Sequence, residues 1–208
     1  MTTLKVYGVP PTRVLRALWL LNELGLDYEL MPTAPLSEEV RSPGFLALNP
    51  AGKVPVLVDG DVVLTESSAI QLYLAEKCPG AGLIPQDIAE RAQMYRWIFF
   101  LVTEIEQPLW RIARNTVIYP EHKRIPADIG TATEECKAML AVLEKHMQGR
   151  DYLVGDRLSV ADLNAAYTLD WAREAGMLEA TPVLRAYVEK MYARPNAPTT
   201  IAAAFAAS

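Results

Sequence analysis

The segment Val54-Pro-Val-Leu-Val-Asp-Gly-Asp-Val-Val-Leu64, with Glu66-Ser67 close behind it, restricts the fold more than any other part of the chain. It reads as a strand, a two-residue Asp59-Gly60 turn that tolerates positive φ, a second strand, and then a predicted helix over Ser67–Lys77. The first backbone N–H groups of such a helix lack partners and, with the partial positive charge of the helix end, form a ready anion site. Upstream, Asn49-Pro50-Ala51-Gly52-Lys53-Val54-Pro55 ends in an X-Pro bond where a loop enters a strand. A cis proline there holds the backbone of Val54 open. An extended peptide can then pair with that backbone while its carboxylate reaches the helix end.

The first part of the chain alternates strand and helix. Leu4–Tyr7 is a predicted strand, Arg13–Leu24 a buried helix stopping at Gly25, and Tyr28–Met31 the next strand. Followed by the hairpin and helix, this order predicts a thioredoxin-like α/β domain, a small mixed sheet with helices on both faces. The breaker-rich run Cys78-Pro-Gly-Ala-Gly-Leu-Ile-Pro85 separates it from a region with no convincing strand. There the spacing predicts long helices over Glu90–Arg114 and Asp128–Gln148, and Ser159 with Asp162 fits a capping box ahead of the apolar stretch Leu163–Ala172. Thr181-Pro182 opens a further helix reaching Arg194, which Pro195 ends. The predicted organisation is a thioredoxin-like domain over 1–78, a linker over 79–88 and an all-α domain over 89–208. The alanine-rich Ile201–Ala207 suits either a fraying end or a fold-back lid.

Composition removes several classes of function. A chain of 208 residues that is 51% hydrophobic can bury a sizeable core, and its net charge of −5 offers no broad basic field for nucleic acid. Cys78 and Cys136 are far apart and form no Cys-x-x-Cys pair, so neither a disulfide framework nor a zinc site is suggested and a reduced cytoplasm is the natural setting. Met1 leads into the first strand with no basic-then-apolar leader, and no apolar run approaches the roughly 18 residues that span a bilayer. The reading is a soluble, unexported protein without a membrane partner.

Four stretches together resemble the soluble glutathione transferase superfamily, in its serine/threonine-type form. They are Val6-Tyr-Gly-Val-Pro-Pro-Thr-Arg-Val-Leu-Arg-Ala-Leu-Trp19, Asn49-Pro-Ala-Gly-Lys-Val-Pro-Val-Leu57, Leu64-Thr-Glu-Ser-Ser-Ala-Ile70 and Leu153-Val-Gly-Asp-Arg-Leu-Ser-Val-Ala-Asp162. They occur in the family's order and span nearly the whole chain. The resemblance implies the thioredoxin-like plus all-α fold and a cytoplasmic homodimer with a role in detoxification. It also implies glutathione as co-substrate, no metal, and a small apolar electrophile as second substrate.

Glutathione chemistry needs a thiolate, and an unperturbed thiol has a pKa of about 8.5. A hydroxyl donating to sulfur beside a helix N-terminus lowers it. Thr12, after Pro10-Pro11 and at the start of the first helix, stands where similar members usually carry serine; its other role is that of an N-cap. Tyr7 is the rival activator, with ordinary strand packing as its alternative. The resemblance carries Glu66 and Ser67 over as the clamp on the γ-glutamyl end, Ser67 for the carboxylate and Glu66 for the ammonium. Val54, ahead of Pro55, would pair with the cysteinyl backbone, and Lys53 would meet the glycine carboxylate. Pro11, Trp110, Arg111, Arg114 and Tyr119 are candidates for the electrophile pocket, although Trp110 suits a core equally well and Arg111 suits an ion pair. His122 and His146 lack partners at ligand spacing and read as surface residues. Trp97, Phe99, Phe100 and Leu101 give the long helix more apolar faces than one domain covers, which also points to a homodimer. A glutathione-dependent disulfide or hydroperoxide reductase is the alternative activity, but no cysteine lies near Thr12. A non-catalytic binding module would have no need of a zwitterion clamp.

Overall fold

The computed structural model describes residues 3–207. Four short strands, β1 (Leu4–Tyr7), β2 (Tyr28–Met31), β3 (Val56–Asp59) and β4 (Val62–Thr65), form one mixed sheet in the order β2-β1-β3-β4. β1 and β2 are parallel and joined through helix α1 (Val14–Leu24), while β3 pairs antiparallel with both β1 and β4. With α2 (Pro43–Leu48) and α3 (Ser67–Lys77), this is the thioredoxin-like arrangement that the alternation of strand and helix predicts. Helix α1 is buried at every position from Val14 to Leu21, consistent with its nearly continuous apolar run, and Gly25 ends it with φ 61°. Asp59, at the hairpin, accepts a hydrogen bond from the Tyr73 hydroxyl at 2.8 Å and pairs with the Lys77 ammonium, which ties the turn to α3.

The second region is helical throughout. One unbroken helix runs from Ile88 to Ile118 as α4 (Ile88–Phe100), a π-helical stretch Leu101–Glu106, α5 (Gln107–Ala113) and a second π-helical stretch Arg114–Ile118. It extends beyond the predicted Glu90–Arg114. Pro108 accounts for the first irregularity: it has no N–H to give to the carbonyl four residues back and its ring crowds that carbonyl, so the turn before it widens. The helix stops where Tyr119, ahead of Pro120, becomes extended.

Helices α6 (Pro126–Met147), α7 (Val160–Glu174), α8 (Pro182–Tyr192) and α9 (Ile201–Ala206) complete the chain. The predicted capping box is present, and it does more than cap. Asp162 Oδ2 accepts from the Ser159 N–H and hydroxyl, both at 2.8 Å, while Oδ1 accepts from the Leu153 N–H and the Tyr187 hydroxyl, also at 2.8 Å. One buried carboxylate therefore joins the Leu153 loop, the start of α7 and the middle of α8. Burial pushes its pKa up against the pull of these hydrogen bonds.

The contacts divide the chain into two compact units, one made of residues up to Ile84 together with those from Tyr192 onward, the other of Pro85–Met191. The C-terminal segment, read from sequence with the helical domain, thus packs in the first unit. Its anchors are Tyr192, whose ring lies 4.9 Å from that of Trp19, and Arg194, which donates to both carboxylate oxygens of Glu23 at 2.8 and 3.1 Å. Ile201 and Ala204 of α9 are buried, so this end is a packed helix, started by the Thr200 hydroxyl accepting from the Ala203 N–H. His146 is not a plain surface residue: it stacks on Trp97 with centroids 4.2 Å apart and hydrogen-bonds the Leu153 carbonyl. Trp97 and Leu101 are core residues, and of the four proposed interface residues only Phe99 is strongly exposed. Among the described residues no helix is long and apolar enough to cross a membrane.

Candidate functional site

Strand register brings three segments to one end of the sheet. Tyr7 pairs with Met31 and Val56, and Val56 pairs with Thr65. The loop leaving β1, the loop entering β3 and the junction from β4 into α3 therefore lie side by side, and they carry Thr12, Val54-Pro55 and Glu66-Ser67.

The first loop is shaped by close approach. Gly8 has φ 148°, and a Cβ there would meet Val14 Cβ at 3.0 Å and Val54 Cβ at 3.5 Å, so a side chain would push apart the two loops and α1. Beyond it the Pro10-Pro11 bond is cis and the Thr12 N–H closes a turn onto the Val9 carbonyl at 3.1 Å. The Thr12 hydroxyl donates to that same carbonyl at 2.6 Å and accepts from the Val14 N–H at 3.3 Å. Helix α1 starts at Val14, one residue after the predicted start, and Arg13 provides no side-chain cap, so Thr12 supplies the capping oxygen. Tyr7 packs into an apolar cluster of Val40, Phe45 and Val56, its ring edge-on to Phe45 at 6.1 Å.

The second loop is stiffened from within. Asn49 Nδ2 donates to the Lys53 carbonyl at 2.7 Å while its Oδ1 accepts from the Ala51 N–H at 3.0 Å. Gly52 has φ 60°, and a Cβ there would lie 3.0 Å from the Val40 carbonyl oxygen. The Val54-Pro55 bond is cis; Pro55 is buried, Val54 half-buried and Lys53 exposed. Among the described residues, no hydrogen bond engages the backbone N–H or C=O of Val54.

At the third segment Glu66 holds φ 66° and ψ 109° as the N-cap of α3. A non-glycine residue in such a region costs roughly 1–3 kcal/mol and persists where its surroundings over-determine it, often at ligand clamps. The next residue, Ser67, is buried, and its Oγ accepts from Arg16 Nη1 at 3.2 Å. Sequence reasoning missed Arg16, Gly8 and the Pro10-Pro11 cis bond. The Gly-Val-Pro-Pro run was the available signal for a tight turn, whereas a single arginine in an apolar helix signals nothing.

The electrophile candidates divide. Pro11 belongs to the first unit and the other four to the second. Arg111 makes the ion pair that its alternative reading expects: it donates through Nε to both oxygens of Asp128 and forms ion pairs with Asp128 and Glu135. The Asp128 carboxylate pushes the guanidinium pKa well above its ordinary value, and Arg111 holds the Asp128 carboxyl below its own. Its charge is thus answered within the helical unit. Trp110 is half-buried with its ring edge-on to Trp171 at 6.4 Å, and the Arg114 guanidinium lies 5.7 Å from the centre of the Tyr119 ring. Cys136 is buried, and desolvation pushes its thiol up to about 12, which removes it as a redox nucleophile. Among the described residues no group of three or more His, Cys, Asp or Glu side chains is placed to hold a metal ion.

Known proteins share this fold and much of this sequence. Residues 2–76 match the model of the glutathione S-transferase N-terminal domain and residues 112–195 that of the C-terminal domain. Glutathione S-transferase 3 of Zea mays is 35% identical over 212 residues, covering 98% of this chain and 95% of the relative. Glutathione transferase F7 from Populus trichocarpa superposes with a TM-score of 0.82 at 30% identity, covering 93% and 95% of the two chains. The theta class glutathione S-transferase from Xanthomonas axonopodis pv. citri, solved with glutathione bound, gives a TM-score of 0.82 at 29% identity over 97% and 98%. With both domain models matched in order and a full-length relative at this identity, the chain belongs to the glutathione S-transferase family of enzymes.

Proposed function

We propose that this protein conjugates the thiolate of glutathione to a small apolar electrophile, as a serine/threonine-type member of its family. The observation that supports the reading is the gathering of Thr12, the open backbone of Val54 and the Glu66-Ser67 helix start at one end of a single sheet. Glutathione would lie extended along Val54, its γ-glutamyl zwitterion at Glu66 and Ser67 and its glycine carboxylate toward Lys53. The thiol proton leaves to solvent, and the remaining thiolate is stabilised by the Thr12 hydroxyl and the start of α1. Sulfur then forms a bond to the electrophilic carbon, which releases its leaving group or takes up a proton. Binding, orientation and desolvation of the thiolate supply the rate enhancement, with no covalent enzyme intermediate. The candidates for contact with the electrophile are Pro11 of the first unit and, separately, Trp110, Arg114 and Tyr119 of the second.

The activator is tested by the absorbance of bound thiolate against pH. Thr12→Ala raises the pKa of bound glutathione and lowers turnover, Thr12→Ser keeps or improves both, and Tyr7→Phe leaves the pKa in place. A pKa that moves in Tyr7→Phe and stays put in Thr12→Ala reverses the assignment. The protein works as a cytoplasmic homodimer in this reading, supported by Phe99 at 67% exposure and by Val62 and Val63 at about 40% on the edge strand β4. Light scattering on wild type and Phe99→Asp tests it: a dimer mass that falls in the variant is expected, and a wild-type monomer at micromolar concentration ends it.

A further inference from the structure

We infer that Arg16 is a positioning residue of the glutathione site, acting through Ser67; the inference rests on the clamp proposed above. Arg16 is the one charged residue in the buried stretch Val14–Leu21 of α1, and it is 1% exposed. Burying a guanidinium is costly unless its surroundings answer the charge. A leucine at this position would suit the packing of α1 with no such cost. The arginine faces α3 instead: Nη1 donates to Ser67 Oγ at 3.2 Å, and the Arg16 carbonyl accepts from Gln71 Nε2 at 3.0 Å. Gln71 is fully buried and lies one turn along α3 from Ser67, so its bond to the Arg16 backbone holds α1 against α3 beside the guanidinium's contact.

This contact decides which way the Ser67 hydroxyl points. A serine oxygen carries one hydrogen and two lone pairs. With a lone pair filled by the guanidinium, the hydrogen is turned away from Arg16 and left for an acceptor at the helix start. Donation from a cation also polarises the O–H and strengthens the bond it makes next. Behind the first turn of α3, Arg16 adds a permanent positive charge to that of the helix end, while Glu66 places an exposed negative charge beside it. The site then presents one charge of each sign to a ligand group that is itself a zwitterion.

The test uses calorimetric binding of S-methylglutathione, which has no thiol to activate, beside steady-state conjugation kinetics, on Arg16→Met, Arg16→Lys, Ser67→Ala and the Arg16→Met/Ser67→Ala double variant. Arg16→Met should raise Kd and the KM for glutathione by about 10-fold or more, the loss expected when a charged hydrogen-bond partner is removed. The pKa of the bound glutathione thiol should stay at its wild-type value, and the double variant should bind no more weakly than the weaker single. Arg16→Lys, which keeps the charge without the fork of donors, should give an intermediate Kd, and it carries the test if Arg16→Met fails to fold. Additive losses in the double variant, wild-type affinity in Arg16→Lys, or a shifted thiol pKa overturn the inference. Wild-type affinity in Ser67→Ala brings down the clamp itself; weakened binding in Ser67→Ala with unchanged binding in the Arg16 variants brings down Arg16 alone.

Discussion

The hydrogen of the Thr12 hydroxyl cannot serve the Val9 carbonyl and a sulfur anion at full strength together, so thiol activation here is a competition between two acceptors. The extra methyl of threonine limits how far the hydroxyl can swing between them, which is why Thr12→Ser is expected to be neutral or better. Glu66 is under the opposite constraint, since its backbone is costly for any residue with a Cβ. Glu66→Gly should be more stable than Glu66→Ala by about 1 kcal/mol, because glycine adopts positive φ without penalty, yet both should lose affinity for glutathione. Paired urea unfolding and calorimetry check this, and equal stability of the two variants would remove the strain argument. The settings of Thr12, Lys53, Val54 and Glu66-Ser67 at a helix start or strand entry were legible because each carries a local signal, and their order in the chain limited what they could be. Arg16 was not, and Arg111 was legible only as an ion-pairing residue without its partners, because an arginine's partner lies elsewhere in the chain: Ser67 is 51 residues from Arg16, and Asp128 is 17 from Arg111.

At the scale of elements, the hairpin is held to α3 by Asp59, Tyr73 and Lys77. The Lys77 hydrogen bond first, with that of Tyr73, holds the Asp59 carboxyl below its ordinary 3.8, and Asp59 in turn raises Lys77 above 10.5. The carboxylate's contribution is therefore complete above pH 3.8 and lost as pH falls through its lower folded value. That of the ammonium is complete below 10.5 and lost as pH rises through its higher folded value. Asp59→Asn should cost about 1–3 kcal/mol at neutral pH and flatten the acid limb of the stability curve below about pH 4; thermal melts across pH 3–8 decide it. Asp162→Ala should be worse, near 3 kcal/mol, since four donors lose their acceptor inside the helical unit. The capping box was readable from Ser159 and Asp162 alone, but the reach to Leu153 and Tyr187 was not. Helical periodicity likewise found the long helix and placed its end four residues early. A π-helical turn keeps a helix going with a changed period, and a 3.6-residue template loses register there.

For the molecule as a whole, Glu23 marks where the segment after α8 returns to α1. Burial alone would raise its carboxyl, but hydrogen bonds from Arg194, Asn196 and Trp19 together bring it below its ordinary 4.5. Its contribution is thus present above pH 4.5 and fades as pH drops through the folded value. Arg194→Ala should lower the unfolding midpoint by a few degrees at pH 7, on the order of 1–3 kcal/mol, and by less at pH 3.5. An equal shift at both pH values would dissociate the carboxylate from the effect.

The discontinuity of the first unit has a bearing on how the protein is made. All four strands are made before the helical unit, yet Trp19 and Glu23 wait for Tyr192 and Arg194, which follow that whole unit in the chain. Until those residues emerge, the nascent sheet has its full set of strands but lacks their ring contact and ion pair. Chains that stall or are clipped before Tyr192 should therefore be preferred substrates for chaperones and proteases, even though every residue of the proposed glutathione site has already been synthesised.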